Sequence, residues 1–327
     1  MRIVINGFGR IGRTVLRQVL SLPQDKTIEV VRINDIAPLE TCTYLFKYDS
    51  VFGPYPGEVS LNDECLTVDG RTIPFTAEPD LSVADLSGVD IVMECTGKAD
   101  TLDVAERGLK AGAANVLISG PSPAAEITLV LGANEEKLGD HRIVSNGSCT
   151  TNALAPLLRG IDDAIGIKSG HMTTIHCYTG SQPMVDAPRG PLERSRAGGV
   201  SMVPTTTSAT KLVGKVLPQL EGKVSGAAVR VPAISVSAVD LTLTLAESLD
   251  IPANTALQNI FSDSPVIGFT NDRVVSTDMR ARPESLVIAL PETLEANERQ
   301  LRIFGWYDNE WGFSARMIDM ARLMAGR

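Results

Sequence analysis

Two domains of different build are what the sequence predicts: an α/β domain with a parallel sheet, then an α+β domain whose sheet is mostly antiparallel. Three observations carry this. The chain opens with a short apolar run, a glycine-rich turn and a helical pattern, "RIVINGFGRIGRTVLRQVL". Apolar runs ending in small polar residues recur up to residue 148. Beyond residue 149 the pattern shifts to alternating, β-branched stretches such as "VSAVDLTLTLAE" (236–247). A length of 327 residues suits two ordinary domains. The expected division is 1–148 and 149–311, with a closing amphipathic helix, 312–327, packing back on the first domain.

In the opening element Gly7, Gly9 and Gly12 give G-x-G-x-x-G with a strand before and a helix after. Such a turn lets a pyrophosphate approach the backbone and rest on the amides of a helix start. The second run, "IEVVRIND", ends at Asn34 and Asp35. Asp35 follows Gly12 by 23 residues, close to the roughly 20 expected for a carboxylate on the adenosine ribose. The first domain is therefore expected to be a Rossmann dinucleotide-binding domain. A carboxylate at that place also repels a 2′-phosphate, so NAD is favoured over NADP. Four more strand-like runs follow at 89–97, 115–122, 127–134 and 141–148. Thr96, Gly97 and Ser119 lie after such strands, where ligands of parallel sheets bind.

The second half begins with "SNGSCTTNALAP". Cys149 falls in the first turn of the helix expected over "CTTNALAPLLRGIDDAIG", where the dipole and free amides favour a thiolate. His176 ends the run "HMTTIH" and is one of only three histidines. An imidazole beside the thiol would serve as base and then acid. On spacing alone, a Cys and a His 27 residues apart are weak evidence, and a buried thiol with a hydrogen-bonded core histidine is the plainer reading. Runs at 171–179, 225–233 and 236–247 read as strands, with Val239, Leu241, Leu243 and Leu245 on one face. Residues 180–204, rich in Pro and Gly, read as a long loop. Four further strands and two helices complete this domain. Thr179, Arg194, the "PTTTSAT" stretch (204–210) and Arg230 offer hydroxyls and guanidiniums suited to phosphate oxygens.

Composition sets limits. Hydrophobic residues make up 43% and charged residues 21%, a globular balance. A formal net charge of -9 argues against a nucleic-acid partner, which wants a basic face. No apolar run reaches the roughly 18 residues of a membrane span, and no signal region opens the chain. Five scattered cysteines show no metal spacing, so free thiols in the cytoplasm and no metal are expected.

Together these residues resemble the glyceraldehyde-3-phosphate dehydrogenase family along nearly the whole chain. The resemblance is carried by "INGFGRIGR", "KYDSVFG" (47–53), "ECTGKADT" (94–101), "SNGSCTTNALAPL" (145–157), "VRVPAISVSAVDLT" (229–242) and "WYDNEWGFS" (306–314). It implies NAD-dependent oxidation of glyceraldehyde 3-phosphate with inorganic phosphate, through a hemithioacetal and thioester on Cys149 with His176 as base. It implies that Asn6, Gly7, Phe8, Gly9, Arg10, Ile11, Asn34, Asp35, Thr96, Gly97 and Ser119 line the dinucleotide, and that Asn309 holds the nicotinamide carboxamide. Ser148, Thr150, Thr207 and Ser208 would bind the attacking phosphate. Thr179, Arg194 and Arg230 would bind the substrate's own phosphate. The family is typically a homotetramer.

The sequence departs from the family pattern at Gly147, Ala153, Ser208, Ser181, Pro79, Gly120 and Phe313. None of these removes a catalytic group, but they leave substrate preference open. Three alternatives therefore stand at this point: an erythrose-4-phosphate dehydrogenase, an arsenate-handling paralogue, and a non-enzymatic NAD-binding redox sensor using Cys149.

Overall fold

The computed structural model describes residues 1–21 and 28–326. The chain divides into two compact units. Met1–Leu129, Glu136–Gly147 and Ser314–Arg327 make the first; Val130–Glu135 and Ser148–Phe313 make the second.

The first unit is built on a nine-stranded sheet. Strand β1 (Arg2–Asn6) leads through the glycine turn into α1 (Arg10–Ser21), and β2 (Glu29–Asn34) pairs parallel to β1. After α2 (Leu39–Lys47) come β3 (Val59–Asn62), β4 (Cys65–Val68) and β5 (Arg71–Thr76), an antiparallel meander whose last strand joins β2 in parallel. This meander lies outside the strand runs expected from the sequence. Strand β6 (Ile91–Glu94) pairs with β1 on its other side. The short helices α3 (Leu102–Ala105) and α4 (Arg107–Lys110) lead to β7 (Asn115–Ile118), β8 (Ile127–Thr128) and β9 (Ile143–Ser145), all parallel. The strand order, β3-β4-β5-β2-β1-β6-β7-β9-β8, reverses direction between β1 and β6. In parallel sheets that reversal opens a crevice at the carboxyl ends of the strands. Ile3, Val4, Ile5, Ile91 and Met93 are fully buried, which fixes these two strands and so the loops that follow them.

The second unit opens with α5 (Cys149–Ala164) and β10 (Ile167–Cys177). Its eight-stranded sheet runs β11 (Val203–Thr205), β12 (Val224–Val231), β10, β13 (Ser237–Leu245), β17 (Gln300–Tyr307), β15 (Leu286–Ala289) and β14 (Ile267–Thr270), with β16 (Leu294–Asn297) hairpinned onto β17. Only the β10–β12 and β14–β15 pairs are parallel. Five strands, not four, join the three runs named from the sequence, because the segment expected to be a loop to residue 204 ends in β11. Helices α6 (Ala209–Val216) and α7 (Ala253–Ile260) complete the unit. Val239, Leu241, Leu243 and Leu245 pack in one core with Leu154, Leu157, Leu158 and Ile161 of α5. That packing anchors the helix whose first residue is Cys149. The chain closes with α8 (Trp311–Ala325). Among the described residues no helix is long and apolar enough to cross a membrane.

Candidate active site

In the first unit a cavity of about 500 Å³ lies at the β1 and β6 ends, with Gly7, Gly9, Asn34, Asp35, Cys95 and Thr96 among its lining. The glycines differ in their reasons. Gly7 has φ +95°, and a Cβ there would sit 2.6 Å from the Cys95 carbonyl carbon. At Gly12 a Cβ would sit 2.2 Å from the Gly7 oxygen. At Gly9 it would meet no protein atom within 4 Å. Nothing in the fold demands glycine at Gly9, so the bare backbone there fits a ligand that must come close. Asp35 braces the turn: Oδ2 accepts from the Phe8 N–H at 2.6 Å and Oδ1 from the Ala37 N–H at 2.8 Å. Each oxygen keeps a lone pair for a ribose hydroxyl. These features fit a dinucleotide.

The other residues expected on the dinucleotide divide into two groups. Asn6 and Asn34 turn inward: Asn34 Nδ2 donates to Asn6 Oδ1 at 2.8 Å, and Asn34 Oδ1 accepts from Thr76 Oγ1 and the Glu78 N–H, both at 2.8 Å. Thr96 gives its hydroxyl to Glu94, and the Ser119 N–H donates to the Glu94 carbonyl at 2.9 Å. What Asn6, Asn34 and Thr96 offer a ligand is the shape of the crevice, and Ser119 is outside its lining. Phe8 is buried against Phe46, with ring centroids 6.0 Å apart. Arg10 is paired with Asp49 and lies 5.5 Å from the Phe52 ring centre. Ile11 is in the first turn of α1, and Gly97 takes φ +68° after β6.

In the second unit Ser148 is the N-cap of α5, its Oγ accepting from the Thr151 N–H at 3.1 Å. This places Cys149 at the first helical position. Residue 147 before it has φ +63°, a left-handed conformation in which glycine avoids the strain of a Cβ. On β10, period two puts Met172, Thr174 and His176 on the buried face. The His176 Nε2 lies 3.6 Å from the Cys149 sulfur. Arg230 stands opposite His176 in the β10–β12 register. Its Nη1 is 2.7 Å from His176 Nδ1 and donates to the Cys177 carbonyl at 2.8 Å. That carbonyl also lies 2.7 Å from Nδ1. When Nδ1–H donates to it, Nε2 presents its lone pair to the thiol.

Burial raises the Cys149 thiol; the Arg230 charge and hydrogen bonding with Thr150 oppose this, and burial prevails. The helix start favours thiolate, as the sequence suggests, yet it does not decide the resting state. Burial and the Arg230 charge push His176 down to about 4. The imidazole is thus neutral near pH 7, with Nε2 toward the thiol. Arg230 favours the thiolate.

Asn309 follows β17 and is buried. Its Oδ1 accepts from the Cys177 thiol at 3.1 Å and the Ser237 hydroxyl at 3.4 Å. Thr150 is buried, and its hydroxyl pairs with Tyr307 Oη at 2.9 Å. Ser148 and Thr150 therefore both have internal partners, although each hydroxyl can still engage another group. Arg194 donates to the Ser181 hydroxyl at 3.0 Å, which lies 3.0 Å from that of Thr179. Arg194 is near enough to Arg230 for its charge to help burial lower the Arg230 pKa. The Arg230 Nε is buried without a partner among the described residues. Two like charges and an orphaned donor suit an anion. Thr207 Oγ1 accepts locally from the Ala209 N–H at 3.1 Å, and Ser208 begins α6 with its hydroxyl uncommitted to the cap.

Sequence reasoning passed over Cys177, Tyr307 and Asp308. Asp308 is buried and accepts from the N–H groups of Ala281, Glu310 and Trp311, shaping the turn that carries Asn309. A carboxylate three residues ahead of a helix is the signal that could have found it. Among the described residues no cluster of His, Cys, Asp or Glu is arranged to hold a metal ion.

Comparison with known proteins agrees on both halves. Residues 1–102 match the family model described as glyceraldehyde 3-phosphate dehydrogenase, NAD binding domain, and residues 148–309 match its C-terminal domain. The chain is 44% identical to a glyceraldehyde-3-phosphate dehydrogenase of Xanthobacter flavus, covering 99% of this chain and 98% of that one. It is 45% identical to that of Pseudomonas aeruginosa, with the same coverage. It is 44% identical to that of Cereibacter sphaeroides, again covering 99% and 98%.

Proposed function

Because the chain belongs to the glyceraldehyde-3-phosphate dehydrogenase family, we propose that it converts glyceraldehyde 3-phosphate and inorganic phosphate to 1,3-bisphosphoglycerate, reducing NAD to NADH. It is an NAD-dependent oxidoreductase. The observation that carries the reading is the Cys149–His176 pair, a thiol at a helix start 3.6 Å from a neutral imidazole. When bound, NAD would be held by the Gly7–Gly9 turn and Asp35 and would supply the acceptor for hydride.

The thiol proton passes to His176 Nε2 and the sulfur bonds to the aldehyde carbon. The resulting alkoxide takes the proton back, giving a hemithioacetal on Cys149. Nε2 removes the hydroxyl proton as that carbon is oxidised, leaving a thioester and dividing one awkward oxidation into two easier steps. Inorganic phosphate then attacks the thioester carbon, the carbon–sulfur bond breaks, and the thiolate is restored beside Arg230. The Cys149 backbone N–H, with His176, stabilises the oxyanion of each addition. Arg194, Thr179 and Arg230 receive the substrate phosphate, while Ser148, Thr150, Thr207 and Ser208 receive the attacking one.

The decisive assay measures NADH formation from glyceraldehyde 3-phosphate, with NAD against NADP and with phosphate against none. Cys149→Ala should abolish the phosphate-dependent signal and keep NAD binding. Turnover retained in that variant would sink the reading. The reading also includes a cytoplasmic setting, which five unpaired cysteines suit, and a homotetramer. The exposed Met184, Val185, Leu192, Val200 and Met202 support an interface at 180–204. Light scattering that returns a monomer mass would remove the tetramer.

A further inference from the structure

Cys177 takes no part in the chemistry above, yet it touches two residues that do. Its backbone carbonyl accepts from Arg230 and lies beside His176 Nδ1. Its side chain points to Asn309, with Sγ 3.1 Å from Oδ1. The thiol is buried, and burial holds its pKa up at about 12. It therefore keeps its proton and stays a donor. Ser237 completes the grip. Its Oγ accepts from the Cys177 N–H at 3.2 Å and reaches Asn309 Oδ1 at 3.4 Å.

The backbone around this pair is held in conformations that side chains usually avoid. Val236, the residue before Ser237, is β-branched, buried and at φ +66°. Ala281, whose N–H is held by Asp308, is at φ +62°. A non-glycine residue persists there only when its surroundings over-determine it, and such residues cluster at functional sites. Here they flank the supports of a single amide. With Oδ1 taking both donors, Nδ2 is the end left over, and among the described residues nothing pairs with it.

We propose that Cys177, with Ser237, is a positioning residue for Asn309: it holds Oδ1 inward so that Nδ2 is presented as a donor to the nicotinamide carboxamide. The inference rests on the proposed role of Asn309 toward that carboxamide. An amide without these two donors can rotate and present its oxygen instead, which repels a carbonyl acceptor.

The test is equilibrium binding of NAD and of ADP-ribose, which lacks the nicotinamide, to full-length Cys177→Ala, Cys177→Ser and Asn309→Ala. Cys177→Ala should bind NAD about five- to ten-fold more weakly, the scale of one misplaced hydrogen bond. ADP-ribose should be held as in the wild type. Cys177→Ser, which restores a donor, should recover NAD binding. Equal losses for both ligands would mark a merely structural effect and overturn the proposal. So would a serine variant as weak as the alanine one, or wild-type NAD binding by Cys177→Ala while Asn309→Ala is weakened. If Asn309→Ala itself binds NAD normally, the role of Asn309 fails and the proposal falls with it.

Discussion

The phenol of Tyr307 joins two threonines from different elements, 2.9 Å from the hydroxyl of Thr150 on α5 and 2.8 Å from that of Thr174 on β10. All three residues are buried. Burial, with the nearby Cys149, raises the phenol pKa, so it stays protonated. It ties the helix bearing the nucleophile to the strand bearing the base. Tyr307→Phe should cost about 1–3 kcal/mol, because two buried hydroxyls lose their partner. Urea denaturation checks this. A change within a few tenths of a kcal/mol would mean that the bridge adds nothing to stability.

His176 should leave a mark on stability against pH. Its folded pKa, near 4, is below the ordinary value of about 6.5. Between those values the unfolded chain binds a proton that the folded chain refuses. The associated stability is therefore full above about pH 6.5 and is lost as pH falls toward 4. Wild type should lose about 2–3 kcal/mol relative to His176→Asn between pH 7 and 4.5. Denaturant titrations of both proteins at the two pH values give the difference. Parallel curves would show that His176 titrates normally.

Arg194 faces the substrate's phosphate in the proposed reading, through its link to Ser181 and its closeness to Arg230. Arg194→Leu should raise KM for glyceraldehyde 3-phosphate roughly 10- to 100-fold, the loss of a charge-assisted contact. Unphosphorylated glyceraldehyde should react as before. If both aldehydes suffer alike, Arg194 serves the chemistry and not the phosphate.

The three glycines of the opening turn should respond differently. Ala at Gly7 or Gly12 forces a methyl against backbone atoms and should cost about 1–3 kcal/mol. Gly9→Ala meets no protein, so stability should hold within about 0.5 kcal/mol. Its NAD affinity should nonetheless fall about ten-fold or more. Calorimetric binding beside thermal melts separates these effects.

Much of this was legible in the sequence because burial has a period. The strand–turn–helix of residues 2–21, the helix beginning at Cys149 and the buried row from Val239 to Leu245 all announce themselves by spacing. The β3–β5 meander did not, since β3 buries only Val59 and leaves Ser60, Leu61 and Asn62 exposed. Hydrogen-bond partners have no period at all. Residue type alone cannot say that Asn34 donates to Asn6 while its oxygen serves Thr76 and Glu78, or that Thr150 is engaged by Tyr307. Nor does it reveal that a thiol next to the histidine grips Asn309. Long-range register brings those residues together, and register is a property of the folded sheet.

The open space beside Gly9 has one more consequence. A chain altered there would pass every check that reads folding: it would melt, express and resist proteolysis like its parent. Its defect would surface only in the presence of cofactor. The cost of a side chain at that position therefore falls on the occupied protein alone, whereas at Gly7 and Gly12 it falls as soon as the chain folds.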